Sequence, residues 1–259
     1  MKTQILNRNQ IKYIVILAML IDHIAWAWVP TTSPLGQAMH LVGRLTGPTM
    51  AYFVAEGYVH TRNVKKYALR LALFALVSWP AFCLYEYGVL PFRVLAGHMT
   101  GSGVWCFYLA ARDVTLVVYP FFGVIYTLFL SLLAVWLWDS DKCPLPVKLL
   151  GVAALLVLSN YGDWPYFDLL WALCFFIYRD RPRQKWTRFC IIALFVYLSF
   201  TDWSAPVTGL FQLGVYLVPV LLIFFYNGES GSKKPIHKWF FYIFYPAHLL
   251  ILAWLRFGL

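Results

Sequence analysis

Long apolar runs separated by short polar turns dominate this chain. They fall near residues 11–29, 37–58, 66–86, 113–137, 146–160, 164–179, 187–203, 207–226 and 238–256. A membrane-spanning helix needs roughly 20 predominantly apolar residues, and most of these runs are of that order. The pattern predicts an all-α, polytopic integral membrane protein of about nine transmembrane helices, forming one domain over residues 1–259. Runs five and six are short, and Tyr161-Gly162-Asp163 between them is compatible with one broken pair. No internal repeat is evident.

Composition agrees. Hydrophobic residues make up 61% of the chain and charged residues 12%, half the ~25% usual in soluble domains. The formal charge of +10 sits in short loops, which argues against nucleic-acid binding and for a topology signal. Of the 21 Lys and Arg, all but Arg44, Arg93, Arg112 and Arg256 fall on one side of a nine-span arrangement. That side holds Lys2, Arg8 and Lys12 at the N-terminus. The bias predicts a cytoplasmic N-terminus and a periplasmic or extracellular C-terminus. The N-terminal segment has a basic start and the A-x-A form Ala25-Trp26-Ala27, as signal peptides do. Asp22 and His23 just before that site predict a retained first helix instead. The five cysteines show no metal or redox spacing and read as packing residues. No metal site is expected.

Ionisable residues inside the runs carry the chemical signal, because each costs at least ~2.5 kcal/mol at the centre of a spanning helix. Asp22 and His23 stand in the first run, Arg44 near the outer start of the second, Glu56 near its inner end, and His248 in the middle of the last. On the predicted topology His23, Arg44 and His248 can converge in the middle or outer half of the bundle. Adjacent helical residues point about 100° apart, so Asp22 is expected to pair across helices, with Arg44, rather than orient His23. Interhelical ion pairs and hydrogen bonds are the purely structural alternative. Gly43 and Gly47 have the spacing of close helix packing. His60, Arg62, Lys65, Lys66 and Arg70 form either a topology signal or a phosphate-binding mouth. Pro48, Pro80, Pro120, Pro219 and Pro246 are expected inside spans as kinks. The connection Tyr87–Arg112 is long and glycine-rich, a lid, an acceptor-docking surface or a plain linker.

Several of these segments together resemble the TraX family, named for the F-pilin acetylase. They are Met19-Leu20-Ile21-Asp22-His23-Ile24, Gly43-Arg44-Leu45-Thr46-Gly47-Pro48 running into Phe53-Val54-Ala55-Glu56-Gly57-Tyr58, and His60-Thr61-Arg62-Asn63 with Tyr67-Ala68-Leu69-Arg70-Leu71. Tyr161-Gly162 and Phe244-Tyr245-Pro246-Ala247-His248-Leu249 follow in order. Pro165 and Arg112-Asp113 depart from the pattern and leave the acceptor open.

The resemblance implies a membrane-embedded acetyltransferase that takes acetyl from acetyl-CoA and passes it to an amine, such as a pilin N-terminus, or to a hydroxyl. Attack on a thioester needs a base and oxyanion stabilisation. The expected roles are His23 as base, Arg44 (held by Asp22) at the developing charge, and His248 as second catalytic group. Glu56 is a further candidate, and Arg62, Arg70 and His60 are candidates for the CoA phosphates. Rival readings are an O-acetyltransferase of an envelope glycan, a non-catalytic assembly factor, and a proton-coupled transporter using Asp22, Glu56 and Asp163.

Overall fold

The computed structural model describes residues 4–258, so Lys2 of the basic N-terminus lies outside the described residues. α1 (Arg8–Trp28) begins with a capping box: the Asn7 carboxamide oxygen accepts the Gln10 N–H, and the Gln10 side chain accepts the Asn7 N–H. This satisfies two amide donors that a helix start leaves free. α2 (Pro34–Gly43) is capped by Ser33, and α3 (Thr46–His60) follows after a break at Arg44-Leu45. α4 (Val64–Tyr87) starts at the Asn63 cap and ends at Gly88 with φ of 65°. Then come β1 (Phe92–Ala96), β2 (Trp105–Leu109) and β3 (Val114–Val118). Next are α5 (Val124–Asp139), α6 (Leu145–Ser159), α7 (Phe167–Ile177) and α8 (Pro182–Phe200). α9 (Pro206–Phe225) and α10 (Pro235–Phe257) complete the described chain.

All nine apolar runs thus coincide with helices, with three corrections. The second run is two helices, because the chain breaks at Arg44. The fourth begins as a strand: Val114-Thr115-Leu116-Val117-Val118 is rich in β-branched residues and pairs with both β1 and β2, in the antiparallel order β1-β3-β2. The protein is therefore mostly helical with a small sheet, not all-α, and the long glycine-rich connection is largely that sheet. Third, Pro120 falls in the loop before α5, and Pro48 falls in the first turn of α3, where its missing N–H costs little. Pro80 and Pro246 do lie within helices. Pro219 lies in α9, whose backbone runs from 3₁₀ to α to π geometry.

Four helices, α1, α4, α9 and α10, are long and apolar enough to cross a membrane. Their outward faces are apolar, as with Leu69, Leu73, Leu76 and Val77 along α4. Water would oppose so much exposed hydrocarbon, and lipid would not. Inside, α10 packs on α4, α3 on α7 and α1 on α2. Cys83 and Cys174 are buried as unpaired thiols.

The α1–α2 contact depends on Gly43. A Cβ there would overlap the Asp22 side chain. Gly43→Ala should cost about 1–3 kcal/mol, read as a lowered melting temperature in detergent. An unchanged melting temperature would show that the helices do not need this close approach.

Candidate functional site

The break after α2 leaves Arg44 at a helix end, turned toward α1. There its Nη2 donates to Asp22 Oδ2 at 2.6 Å, while His40 Nδ1 lies 2.7 Å from Asp22 Oδ1. His40 is fully buried and stands one helical turn before Arg44. The Arg44 guanidinium lies 4.8 Å from the Trp164 ring centroid and 5.3 Å from that of Phe211, so aromatic faces cover a charge removed from water. Trp164 is held at φ of 58°, unusual for a bulky residue. The chain around it is pinned: Asp163 N–H donates to the Phe122 carbonyl at 2.9 Å and Phe122 N–H to that of Tyr161 at 2.8 Å. Tyr161-Gly162-Asp163 is therefore a bridge to the start of α5, not only a turn.

One residue on, His23 faces α10 instead. His23 Nδ1 and His248 Nε2 are 3.1 Å apart, and His248 Nδ1 is 2.9 Å from the Phe244 carbonyl oxygen. A carbonyl can only accept, so His248 Nδ1 carries a proton. In a neutral ring this leaves Nε2 as an acceptor, which receives the His23 Nδ1–H. His23 Nε2 is then the unprotonated nitrogen, with no hydrogen-bond partner among the described residues. The pair is boxed by the Tyr85 ring, 5.1 Å from His23, and the Phe244 ring, stacked at 5.0 Å on His248. Tyr85 also donates its hydroxyl to the His23 carbonyl at 2.6 Å.

Two cavities adjoin near this pair, and His23 lines the smaller of them. The larger, about 410 Å³, opens among the first turns of α1, α4 and α10 and is lined there by Arg8, Lys12, Arg70, Lys233, Lys234 and Lys238. The smaller, about 50 Å³, is lined by Asp22, His23, Arg44, Glu86, Asp163 and Trp164. Met19, Thr46 and Val124 line both, so one thin wall divides a basic chamber from an acidic one. Val124 opens α5 and donates its N–H to the Tyr245 hydroxyl at 3.0 Å. Asp163, in the loop between α6 and α7, is pushed up to about 6, chiefly by burial; Asp22 adds to this and Arg44 opposes it.

The expected residues thus divide. His23 and His248 are in contact, and Asp22 and Arg44 line the His23 chamber. Arg70 and His60 line the larger cavity; Arg62 is exposed and lines neither. Glu56 also lines neither. It pairs with Arg8 Nε at 2.6 Å and accepts the Tyr226 hydroxyl at 2.7 Å, tying α3 to α1 and to the end of α9. The Glu56 carboxylate is thus engaged by Arg8 and Tyr226. His40, Lys12 and Lys233 to Lys238 were not singled out from sequence for the site, although His40 and Arg44 share the i, i+4 spacing of one helix face. Among the described residues, no group of three or more His, Cys, Asp or Glu is placed to hold a metal ion.

Fold and site together define a helical membrane protein with a buried histidine pair, one member of which lines the smaller of two adjoining cavities. The profile of the family described as "TraX protein" matches residues 7–256, and the chain belongs to that family. It is similar to "Probable fimbrial assembly protein FimC, serogroup H1" of Dichelobacter nodosus, at 28% identity over 249 residues, covering 94% of this chain and 93% of the relative. No solved structure matches the chain.

Removing one member of a buried ion pair strands the other. Arg44→Ala should cost about 3–5 kcal/mol, and the double replacement Asp22→Leu with Arg44→Met should recover much of it. Thermal unfolding of the purified variants in detergent checks both. Equal loss in the single and double variants would show that the pair is not the source.

Proposed function

We propose that this chain is a membrane-embedded acetyltransferase that moves acetyl from acetyl-CoA to an amine or hydroxyl acceptor of the cell envelope, with a pilin N-terminus as the first candidate. The observation that carries the reading is the free His23 Nε2, backed by His248, beside the wall between a basic and an acidic chamber. Family membership and the fimbrial relative support a pilus-linked acceptor. On this reading the nine apolar runs, with α2 and α3 forming one of them, cross the bacterial inner membrane, with the N-terminus and the basic chamber cytoplasmic and the C-terminus outside.

The basic chamber suits the donor. Lys12, Arg70, Lys233 and Lys234 can face phosphates and the adenine end, while the narrower apolar part, with Met19 and Val124, suits the pantetheine arm. Point charges and guanidinium forks both recognise phosphate. The acidic chamber suits the acceptor, since Glu86 and Asp163 favour a cationic amine over a neutral hydroxyl. The bound ammonium first gives one proton to the Glu86 or Asp163 carboxylate, and the neutral amine nitrogen then attacks the thioester carbon, forming the C–N bond as the C–S bond breaks. His23 Nε2 takes the nitrogen's proton. The imidazolium so formed shares its Nδ1–H with His248, whose own Nδ1–H is fixed on the Phe244 carbonyl. The proton then passes to the departing thiolate. Arg44, anchored on Asp22, faces the carbonyl oxygen that gains charge.

Acetyl transfer from acetyl-CoA to a pilin-like peptide by the purified protein tests this. His23→Ala should lower kcat about 10²–10⁴-fold with the fold kept. Lys233→Glu with Lys234→Glu should instead raise KM for acetyl-CoA and leave kcat nearly unchanged. A folded His23→Ala protein with full activity would sink the base assignment. No transfer by the wild type, together with no calorimetric binding of CoA, would sink the activity itself.

A further inference from the structure

The sheet between α4 and α5 has one wholly apolar face. Register sets Phe92 beside Val118 and Val118 beside Trp105. Two residues further along each strand, the rows Val94–Leu116–Phe107 and Ala96–Val114–Leu109 lie on the same side, because side chains alternate with a period of two. No polar side chain interrupts them. The opposite face is mixed, carrying Arg93, Thr115 and Tyr108 together with Leu95, Cys106 and Val117, and the sheet's own loop folds over it. Thr115 donates its hydroxyl to the Gly97 carbonyl at 2.6 Å, Met99 N–H donates to Thr115 Oγ1 at 3.0 Å, and the His98 ring meets Tyr108 edge-on at 4.9 Å.

On the apolar face the row Phe92–Val118–Trp105 packs on the body of the protein through Trp79 and Tyr161, and the rows beyond it have no such cover. Val94 is 66% exposed, Phe107 54% and Leu109 46%. The face also continues an apolar surface that already exists. Phe92 packs on Trp79 of α4 with ring centroids 4.9 Å apart, and α4 presents Leu73, Leu76 and Val77 outward just below.

We infer that the sheet is an interfacial membrane element, its apolar face resting in the lipid and its Arg93–Tyr108 face in water. The occupant of the face is the bilayer itself. Continuity with the outward face of α4, a helix fit to span, selects lipid. The sheet edges fix the depth: β1 and β2 each pair on one side only. Unpaired backbone groups cannot sit in the hydrocarbon core, so the sheet lies at the headgroup–acyl boundary, where amphipathic elements bury about 5–10 Å deep.

The test uses the full chain reconstituted in phosphatidylethanolamine–phosphatidylglycerol vesicles. Benzoylphenylalanine replaces Phe107, Val94 or, on the other face, Tyr108, and photoadducts are read by mass spectrometry. Lipid adducts at 107 and 94, several-fold above those at 108, are expected. Because Phe107 and Val94 are exposed, these replacements spare the core, and a melting curve for each variant checks the fold. A second readout places a bimane-labelled cysteine at 107 or 93, with native cysteines replaced. Brominated lipids should quench position 107, and aqueous iodide position 93. Equal labelling of both faces, quenching of 107 by iodide alone, or capture of a second protein chain in place of lipid overturns the proposal.

Discussion

Everything near the site is arranged around a charge that cannot be left alone. Asp22 sits in the first helix with most of its surface removed from water. An uncompensated carboxylate there would cost several kcal/mol. Arg44 and His40 supply the compensation from α2, and their reach depends on two local features. Gly43 lets α2 approach α1 until the backbone touches the Asp22 side chain. The helix then breaks at Arg44, so that the guanidinium points inward rather than up the next turn. Trp164 and Phe211 cover the guanidinium faces, which ties the α6–α7 loop and α9 to the same pair.

Once Asp22 is anchored toward α2, its neighbour is fixed as well. The ~100° between successive helical residues turns His23 toward α10, and the hydrogen-bond chain through His248 to Phe244 sets which nitrogen is free. The structural ion pair thereby orients the chemical one without touching it. Glu56 and Arg8 perform a similar anchoring at the opposite end of the bundle, between α3 and α1. That tie explains why a carboxylate so prominent in the sequence lines neither chamber.

Much of this was legible in the chain and some was not. The apolar runs located every described helix, because each helix carries a long apolar face. The rarity of charge inside those runs marked Asp22, His23, Arg44 and His248, and all four do gather at the site. Run analysis could not see the sheet. A strand of Val, Thr and Leu followed by a helix of Leu and Val reads as one hydrophobic stretch, and only its partners β1 and β2 divide it. Likewise Lys233 and Lys234 look like ordinary loop charge until the folded chain brings the start of α10 beside α1 and α4. Arg62 and Arg70 are equally basic on paper, and only their places in the folded chain separate them. Arg70 turns onto Tyr242, with Nε donating to its hydroxyl at 3.1 Å, while Arg62 lies in the turn before α4 and faces outward.

The last step concerns why α10 can carry a histidine whose ring folds back on its own helix. His248 Nδ1 donates to the Phe244 carbonyl, which the helix ladder also uses. Pro246 stands between them and has no N–H, so the Tyr242 carbonyl lacks its usual donor. Here the Tyr242 side chain is held by Arg70, and the Tyr245 hydroxyl takes the first N–H of α5. Residues 242 to 248 thus stay helical apart from the donor missing at Pro246, and add side-chain contacts to α4, α5 and α1. A uniform apolar helix would pack more simply. The one present instead joins the basic chamber, the dividing wall and the histidine pair through three successive turns of a single helix.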